Sequence, residues 1–311
     1  KIYPACQLGI DKRYVSRGAL RLVRTLQEAG FQAYIVGGAV HDLLMNKSPK
    51  DFDVATSASP EEIVRLFRRA WIIGRRFRIV HVRQGIEVIE VTTFRGDGPV
   101  STDENGQILR DNSFGTHAED ARRRDFTVNA LYYDPCADVV HDFHHGIDDI
   151  RSKTLRIIGR PEIRFREDPV RMLRAIRFSG KLAFELEPKA RKLLSVLAPL
   201  LNNVSEARRF DEITKLLMCG ASFACLRRLY QEKLYHVLFP LLNDVFSVPE
   251  ACHFVELALI DTDRRIHAGK PVNLAFPFAA LLWWSVKARW IELREQMPLY
   301  LALQQAAEEI L

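Results

Sequence analysis

The 311-residue chain lacks any apolar run approaching the roughly 18 residues of a membrane span. Its longest apolar stretch, Phe276 to Val286, is broken by Pro277 and Ser285 and followed by Lys287 and Arg289, so it reads as a buried helix and no membrane partner is expected. Cysteine is scarce. Cys6, Cys136, Cys219, Cys225 and Cys252 are odd in number and form no C-x-x-C pair, which argues against a disulfide framework or a zinc knuckle and for a reducing cytoplasm. A strong charge bias is missing too: 45 Lys plus Arg against 39 Asp plus Glu leave +6, which permits a polyanionic partner without requiring one. There is no repeat of fixed period and no low-complexity segment. What remains is 48% hydrophobic and 27% charged, enough apolar surface for real cores, over a length suited to about two domains. The chain opens on Lys1 rather than Met, from which a preceding segment is expected.

Helical spacing of Leu20, Leu22, Val23 and Leu26 after Ser16 predicts a helix ending at Gly30. Phe31 to Val36 reads as a strand, Gly37-Gly38 as a turn, Val40 to Met45 as a helix, and Asp51 to Ala55 as a second strand. Ser59, Pro60, Glu61 and Glu62 start a helix expected to reach Arg69. Trp71–Ile73, Phe77–Arg83 and Ile86–Phe94 follow as strands, and 96–112 as a polar mobile loop. From about residue 155 helical periodicity takes over in Pro161–Leu182, Pro188–Leu197, Ser205–Cys219, Phe223–Leu234, Ala251–Ile260 and Leu274–Trp284. The pattern predicts an α/β or α+β head of about 120 residues followed by an all-helical body, and α+β is the class expected of the whole.

On a strand, Asp51 and Asp53 share one face, about 6.5 Å apart, while Phe52 points into the core. Two such carboxylates suit a pair of Mg²⁺ ions, whose remaining ligands are waters and substrate phosphates. D-x-D alone is common on solvated strands. Here Gly37-Gly38 ends a strand at a helix start one short helix earlier, where backbone N–H groups can meet a phosphate. Strand, Gly-Gly, helix, turn and D-x-D together describe a nucleotidyltransferase head.

Val36 to Leu43, Lys50 to Asp53, Arg123 to Leu131 and Arg166 to Phe178 resemble, in order, the motifs of the class II nucleotidyltransferases. That family comprises the bacterial poly(A) polymerases and the CCA-adding tRNA nucleotidyltransferases, within the DNA polymerase β-like superfamily. Ile73 to Val82 resembles the poly(A) polymerase branch. The resemblance implies a catalytic head over 14–155, a nucleotide- and RNA-binding neck over 156–240, and a helical body over 241–311 that is C-terminally incomplete, since no basic tail follows. It implies ATP as substrate, RNA 3′ ends as partner, and two Mg²⁺ ions held by Asp51 and Asp53. A third carboxylate is implied at Asp125 as general base, with Glu90 its competitor on geometry. CCA addition to tRNA is the alternative activity.

In the same motif, Asp168, Arg171 and Arg174 recur every three residues and form a stripe about 120° wide on a helix. Asp168 can accept from the amino group of adenine or cytosine while Arg171 donates to the ring nitrogen, and uracil and guanine present the opposite order. On an unrelated helix such a stripe is an ion-pair ladder. The resemblance further implies nucleotide contacts for Gly37, Gly38 and Arg124. The family pattern has Arg where this chain has His41, which predicts a looser or more pH-dependent triphosphate grip and motivates another alternative, a catalytically weak RNA-binding protein. Arg75, Arg76 and Arg78 are candidates for compensating triphosphate or RNA contacts. The cluster His141 to His145 is too irregular for a metal site, Trp283, Trp284 and Trp290 read as core, and Cys219 and Cys225 as buried apolar residues.

Overall fold

The computed structural model describes all residues except 75–77, 97, 99–100, 103–107, 111–112, 241 and 311, and only the backbone of 101–102 and 108–110. Two compact units follow each other along the chain, Lys1–Glu167 and Asp168–Leu311. Among the described residues no helix is long and apolar enough to cross a membrane.

The first unit holds strands β1 (Ile2–Pro4), β2 (Ala33–Val36), β3 (Asp53–Thr56), β4 (Ala70–Ile73), β5 (Ile79–Gln84) and β6 (Glu87–Thr93). The short β7 (Ser101–Thr102) and β8 (Ile108–Arg110) precede β9 (Leu131–Asp134), β10 (Val139–Asp142) and β11 (Thr154–Leu155). Its helices are α1 (Arg17–Glu28), α2 (Gly38–Leu44), α3 (Pro60–Leu66), α4 (His117–Arg123), α5 (Gly146–Arg151) and α6 (Pro161–Glu167). Eight strands make one mixed sheet in the order β1-β10-β9-β2-β3-β6-β5-β4, in which only β3 and β6 run parallel.

Side-chain alternation gives this sheet two different faces. Val80, Val91, Val54, Ile35 and Tyr133 lie in register across five strands and are all fully buried. Helix α1 packs against β2, β3, β5 and β6 and contributes Ala19, Leu22, Val23 and Leu26 to the core. Each large side chain buried there is worth about 1.5–3 kcal/mol. Ser16 caps α1 through Oγ, accepting from the N–H of Gly18 and Ala19. The next register row, on the opposite face, reads His81, Glu90, Asp53, Val36, Tyr132 and His141.

Above that opposite face α4 sets the His117 ring flat against Tyr34, 4.3 Å between centroids, edge-on to Tyr132 and Phe143, and tilted against His141. Burial first, then His141 and Arg124, push the imidazole down to about 4, against the opposing effect of Asp120. It is therefore a neutral aromatic plate at neutral pH.

The second unit is helical: α7 (Val170–Leu182), α8 (Pro188–Leu197), α9 (Glu206–Leu217), α10 (Ser222–Gln231), α11 (Tyr235–Leu238), α12 (Leu242–Ser247), α13 (Pro249–His267), α14 (Ala275–Leu293) and α15 (Leu299–Ile310), with a two-residue strand β12 (Glu185–Leu186). Helices α7 and α10 approach closely because residue 180 is glycine: a Cβ there would stand 2.5 Å from Cys225 Sγ and 2.8 Å from the Cys225 backbone. The Asp263 carboxylate on α13 accepts from the first N–H of α10, that of Ser222, at 2.8 Å, supplying the cap that Ala221 lacks. Trp290 packs against Val286 and Leu293 and donates Nε1–H to the Leu299 carbonyl at 3.2 Å. Trp283 and Trp284 are half-buried, with the Lys287 ammonium 4.8 Å over the Trp284 ring.

Several expectations shift. The strand begins at Asp53, leaving Asp51 before it, and α3 stops at Leu66 rather than Arg69 because Phe67 turns extended and buries its ring. The helix expected over 161–182 is broken at Asp168-Pro169, since proline has no N–H to continue the ladder and biases its predecessor away from helix. Most of the polar 96–112 segment lies outside the described residues.

Gly180→Ala is expected to force α7 and α10 apart and cost about 1–3 kcal/mol, read by urea unfolding. For His117, the unfolded chain binds a proton near pH 6.5 and the folded one only near 4, so its contribution is complete above pH 6.5 and is lost as the pH falls toward 4. His117→Phe should therefore gain stability relative to the unsubstituted chain between pH 7.5 and pH 5. A difference that stays constant over that window would refute the assignment.

Candidate functional site

Asp53 opens β3 opposite Val36 on β2 and Glu90 on β6. Val36 leads straight into Gly37, which has φ +69° and lies so close that a Cβ on it would sit 3.5 Å from Asp53 Oδ2. A side chain at residue 37 would meet both backbone strain and the carboxylate. Asp51 and Asp53 are both exposed and Phe52 between them is buried, so the out-in-out order predicted from alternation holds even though Asp51 precedes the strand.

Asp53 keeps contact with solvent, yet protein closes round its carboxyl group. Burial and the charge of Glu90, with a smaller push from Asp51, raise it to about 6, while Arg124 pulls the other way. A carboxyl group raised by burial and by neighbouring negative charge, as Asp53 is, marks a place where a cation would be stabilised. Hard oxygen donors are the right chemistry for Mg²⁺. Among the described residues no group of three or more His, Cys, Asp or Glu side chains is placed to hold a metal ion by itself. Glu90 itself leans to His81 on the next strand, Oε1 to Nε2 3.4 Å.

Arg124, which ends α4, is locked from three sides. Its Nε–H donates to Tyr132 OH at 2.8 Å, NH2 donates to Asp120 Oδ2 at 3.2 Å, and NH1 donates to the Asn129 carbonyl at 3.1 Å. Tyr132 OH donates to Asp120 Oδ2 at 2.6 Å, and the Arg95 N–H donates to Asp120 Oδ1 at 3.1 Å. Burial opposes charge on the guanidinium, but Tyr132 and Asp120 outweigh it and raise its pKa. Burial likewise works against the Asp120 carboxylate, and Arg124, Tyr132 and Arg95 outweigh it. Two of the five guanidinium N–H donors stay uncommitted for an incoming anion. Arg164 on α6 donates from NH2 to the carbonyls of Arg123 and Arg124, 2.8 Å each, satisfying the C-terminal end of α4. Neither Asp120, Tyr132 nor Arg164 was singled out from the sequence: Asp120 stands at the i,i+4 spacing of an ordinary helical ion pair, Tyr132 lies on the next strand, and Arg164 reaches the Arg124 segment from about 40 residues away.

Asp125 follows Arg124 directly. Its Oδ1 accepts from the N–H of Phe126 at 2.8 Å and from Asn129 Nδ2 at 3.3 Å, bracing the short 3₁₀ turn Thr127–Asn129. The structure brings Glu90, not Asp125, into register with Asp53. His41 is fully buried, its Nε2 3.3 Å from Asp42 Oδ1 and its Cε1 3.8 Å from where a Gly38 Cβ would lie, so it supports the glycine turn from beneath rather than facing solvent. Arg75 and Arg76 lie outside the described residues, and Arg78 pairs with Glu61 on α3. The His141 to His145 segment is occupied locally: His141 packs on Tyr34 and His117, while Asp142 accepts from the N–H groups of His144, Gly146 and Ile147.

In the second unit Asp168 sits before α7 rather than on it. Both its oxygens accept from Arg208 NH2 on α9, at 3.2 and 3.1 Å. Arg171, Arg174 and Arg177 form a half-buried stripe along α7. Arg174 and Arg177 reach the buried Glu212 of α9 at 3.9 and 3.5 Å, and Arg177 also lies 4.6 Å over the Phe178 ring. The ion pairs of this stripe run to α9, through Arg208 and Glu212, and not along one helix face at the i,i+3 spacing.

Comparison with known proteins agrees with this geometry. Residues 33–156 match the model described as "Poly A polymerase head domain", and 183–246 the one described as "Probable RNA and SrmB- binding site of polymerase A". Poly(A) polymerase I of Haemophilus influenzae is 46% identical over 299 residues, covering 93% of this chain and 66% of the relative. Poly(A) polymerase I of Escherichia coli O6:H1 is 44% identical, covering 92% of this chain and 64% of the relative. A CCA-adding enzyme of Streptococcus pneumoniae is 36% identical over 266 residues, covering 85% of this chain and 63% of the relative. The chain therefore spans just under two thirds of the length of these curated relatives. Among solved structures, the Bacillus stearothermophilus CCA-adding enzyme in complex with CTP superposes with a TM-score of 0.60 at 26% identity, over 87% of this chain and 82% of that one. With its head and RNA-binding segments both matched and its motifs in order, the chain belongs to the nucleotidyltransferase family that unites bacterial poly(A) polymerases with CCA-adding enzymes.

Proposed function

We propose that the chain adds AMP from ATP to RNA 3′ ends without a template, releasing pyrophosphate. The observation that carries the reading is the register of Asp53 beside Glu90, against the Gly37 turn and within reach of the charge of Arg124. The choice of poly(A) over CCA addition rests on 46% identity to a poly(A) polymerase against 36% to a CCA-adding enzyme. The proposal divides the chain into head, neck and body as the motifs do, in a cytoplasmic protein.

Asp51 and Asp53 are assigned to hold two Mg²⁺ ions. Those ions, when bound, stabilise the attacking and leaving oxygens of an in-line displacement at the α-phosphate. Glu90 is assigned the third carboxylate position, where it can accept the proton of the RNA 3′-hydroxyl after a rotamer change away from His81. Asp125 becomes a positioning residue that fixes the turn following Arg124. The two open N–H donors of Arg124 bind the triphosphate, and Gly37 and Gly38 let the backbone approach it. His41 is assigned to supporting that glycine turn.

The second unit supplies the base reader. A carboxylate has about four lone-pair directions, so Asp168 can keep its Arg208 bonds and still accept from the adenine amino group while Arg171 donates to the ring nitrogen. Arg174 steadies the stripe through Glu212.

With ATP as the only nucleotide and a generic oligoribonucleotide, the chain should build long homopolymer tails under Mg²⁺. Activity confined to tRNA lacking its end, with CTP required, would establish CCA addition in its place. RNA binding with no incorporation at any Mg²⁺ concentration would establish a catalytically silent binder. Asp53→Asn should cost about 4 kcal/mol of transition-state stabilisation, roughly a thousandfold in rate, with the thermal melt unchanged. Glu90→Gln should lower the rate at least tenfold (~1.4 kcal/mol) and raise the Mg²⁺ concentration needed for half-maximal activity, whereas Asp125→Asn should lower the melting temperature. The reverse pattern for these two would return the third position to Asp125.

A further inference from the structure

Two of the five cysteines meet inside the helical unit. Cys219 follows α9 in the turn completed by Gly220, whose φ is +81°, and Cys225 lies one turn into α10. Their sulfurs are 3.5 Å apart, which is van der Waals contact. The pair differs in access: Cys219 is half-buried, and Cys225 is sealed against Gly180 of α7. Each sulfur also lies beside a carbonyl to which its S–H can donate as an alternative, Leu216 for Cys219 at 3.2 Å and Arg177 for Cys225 at 3.4 Å, and between these the two sulfurs face one another.

We propose that Cys219 and Cys225 are an oxidisable dithiol, a modification site at which a hydroperoxide converts the pair to an intramolecular disulfide. Cys219 is the attacking sulfur because it is the accessible one. Hydrogen bonding from the Cys225 S–H, and then from the Ala221 N–H, also lowers its pKa against burial, while the same contact and burial raise that of Cys225. The Cys219 thiolate attacks the terminal oxygen of the hydroperoxide, an S–O bond forms, the O–O bond breaks, and the alkoxide or hydroxide takes up a proton. Cys219 is then a sulfenic acid. Cys225 gives up its proton, its sulfur attacks Cys219, the S–S bond forms, the S–O bond breaks, and the departing hydroxide leaves as water with that proton. The two sulfurs lose two electrons and the peroxide bond gains them. The site is independent of the nucleotidyl-transfer reading, since no step uses the carboxylates of the first unit.

Trypsin cleavage after Lys215 and Arg227 leaves both cysteines in one peptide, 216–227. The fully reduced chain, treated with stoichiometric hydrogen peroxide, should yield this peptide about 2 Da lighter, at a rate roughly tenfold above oxidation of the exposed Cys6 and Cys136. Cys225→Ser should abolish the mass loss and leave a sulfenic acid on Cys219 that dimedone traps. Cys219→Ser should leave the Cys225 thiol unmodified. The proposal is overturned if Cys6 and Cys136 oxidise while 216–227 keeps two free thiols, or if Cys225→Ser gives no dimedone adduct at Cys219.

Discussion

Everything at the carboxylate site depends on the pairing register of β3 between β2 and β6. A slip of one residue would exchange the two faces, carrying Asp53 into the layer now filled by Val54 and exposing Val54 to water. That slip is opposed by the whole apolar row, Val80, Val91, Val54, Ile35 and Tyr133, packed under α1. The charged row can tolerate mutual repulsion because the apolar row fixes it. Strain at the chemistry is thus balanced on the far side of the same sheet, one residue away along each strand.

The second structural dependence is the triangle of Arg124, Asp120 and Tyr132. A largely buried cation is costly unless it is paired, and here a carboxylate, a phenol and a carbonyl hold Arg124 through three of its five donors. Fixing Arg124 in this way places a positive charge near Asp53 before any substrate arrives. Arg164 secures the same segment through the carbonyls of Arg123 and Arg124, so α6 also bears on where that charge sits.

What could be read from the sequence was local. The Ser59–Glu62 capping box with Pro60, the Gly37 turn, the out-in-out order of Asp51, Phe52 and Asp53, and the helices after residue 160 follow from propensity and periodicity. What was misread was a competition between two local rules: apolar periodicity carried the 161–182 helix through Pro169, and the missing N–H of that proline won. What could not be read was pairing over long separations. Nothing near Asp53 announces Glu90, and nothing near Asp168 announces Arg208, because strand register and helix crossings decide both. His41 illustrates the same limit: its identity is a departure from the family pattern, and only its complete burial assigns it to the turn rather than to solvent.

The break at Pro169 separates Asp168, the acceptor proposed to read the base, from Arg171, the proposed donor. Arg171 is carried by the hydrogen-bond ladder of α7, whereas Asp168 hangs from a joint and takes its direction from a guanidinium on α9. If Asp168 and Arg171 read the base as proposed, the reader is mechanically composite: one half is as stiff as a helix, and the other can be retuned by any change that shifts α9, without either of the two residues being altered.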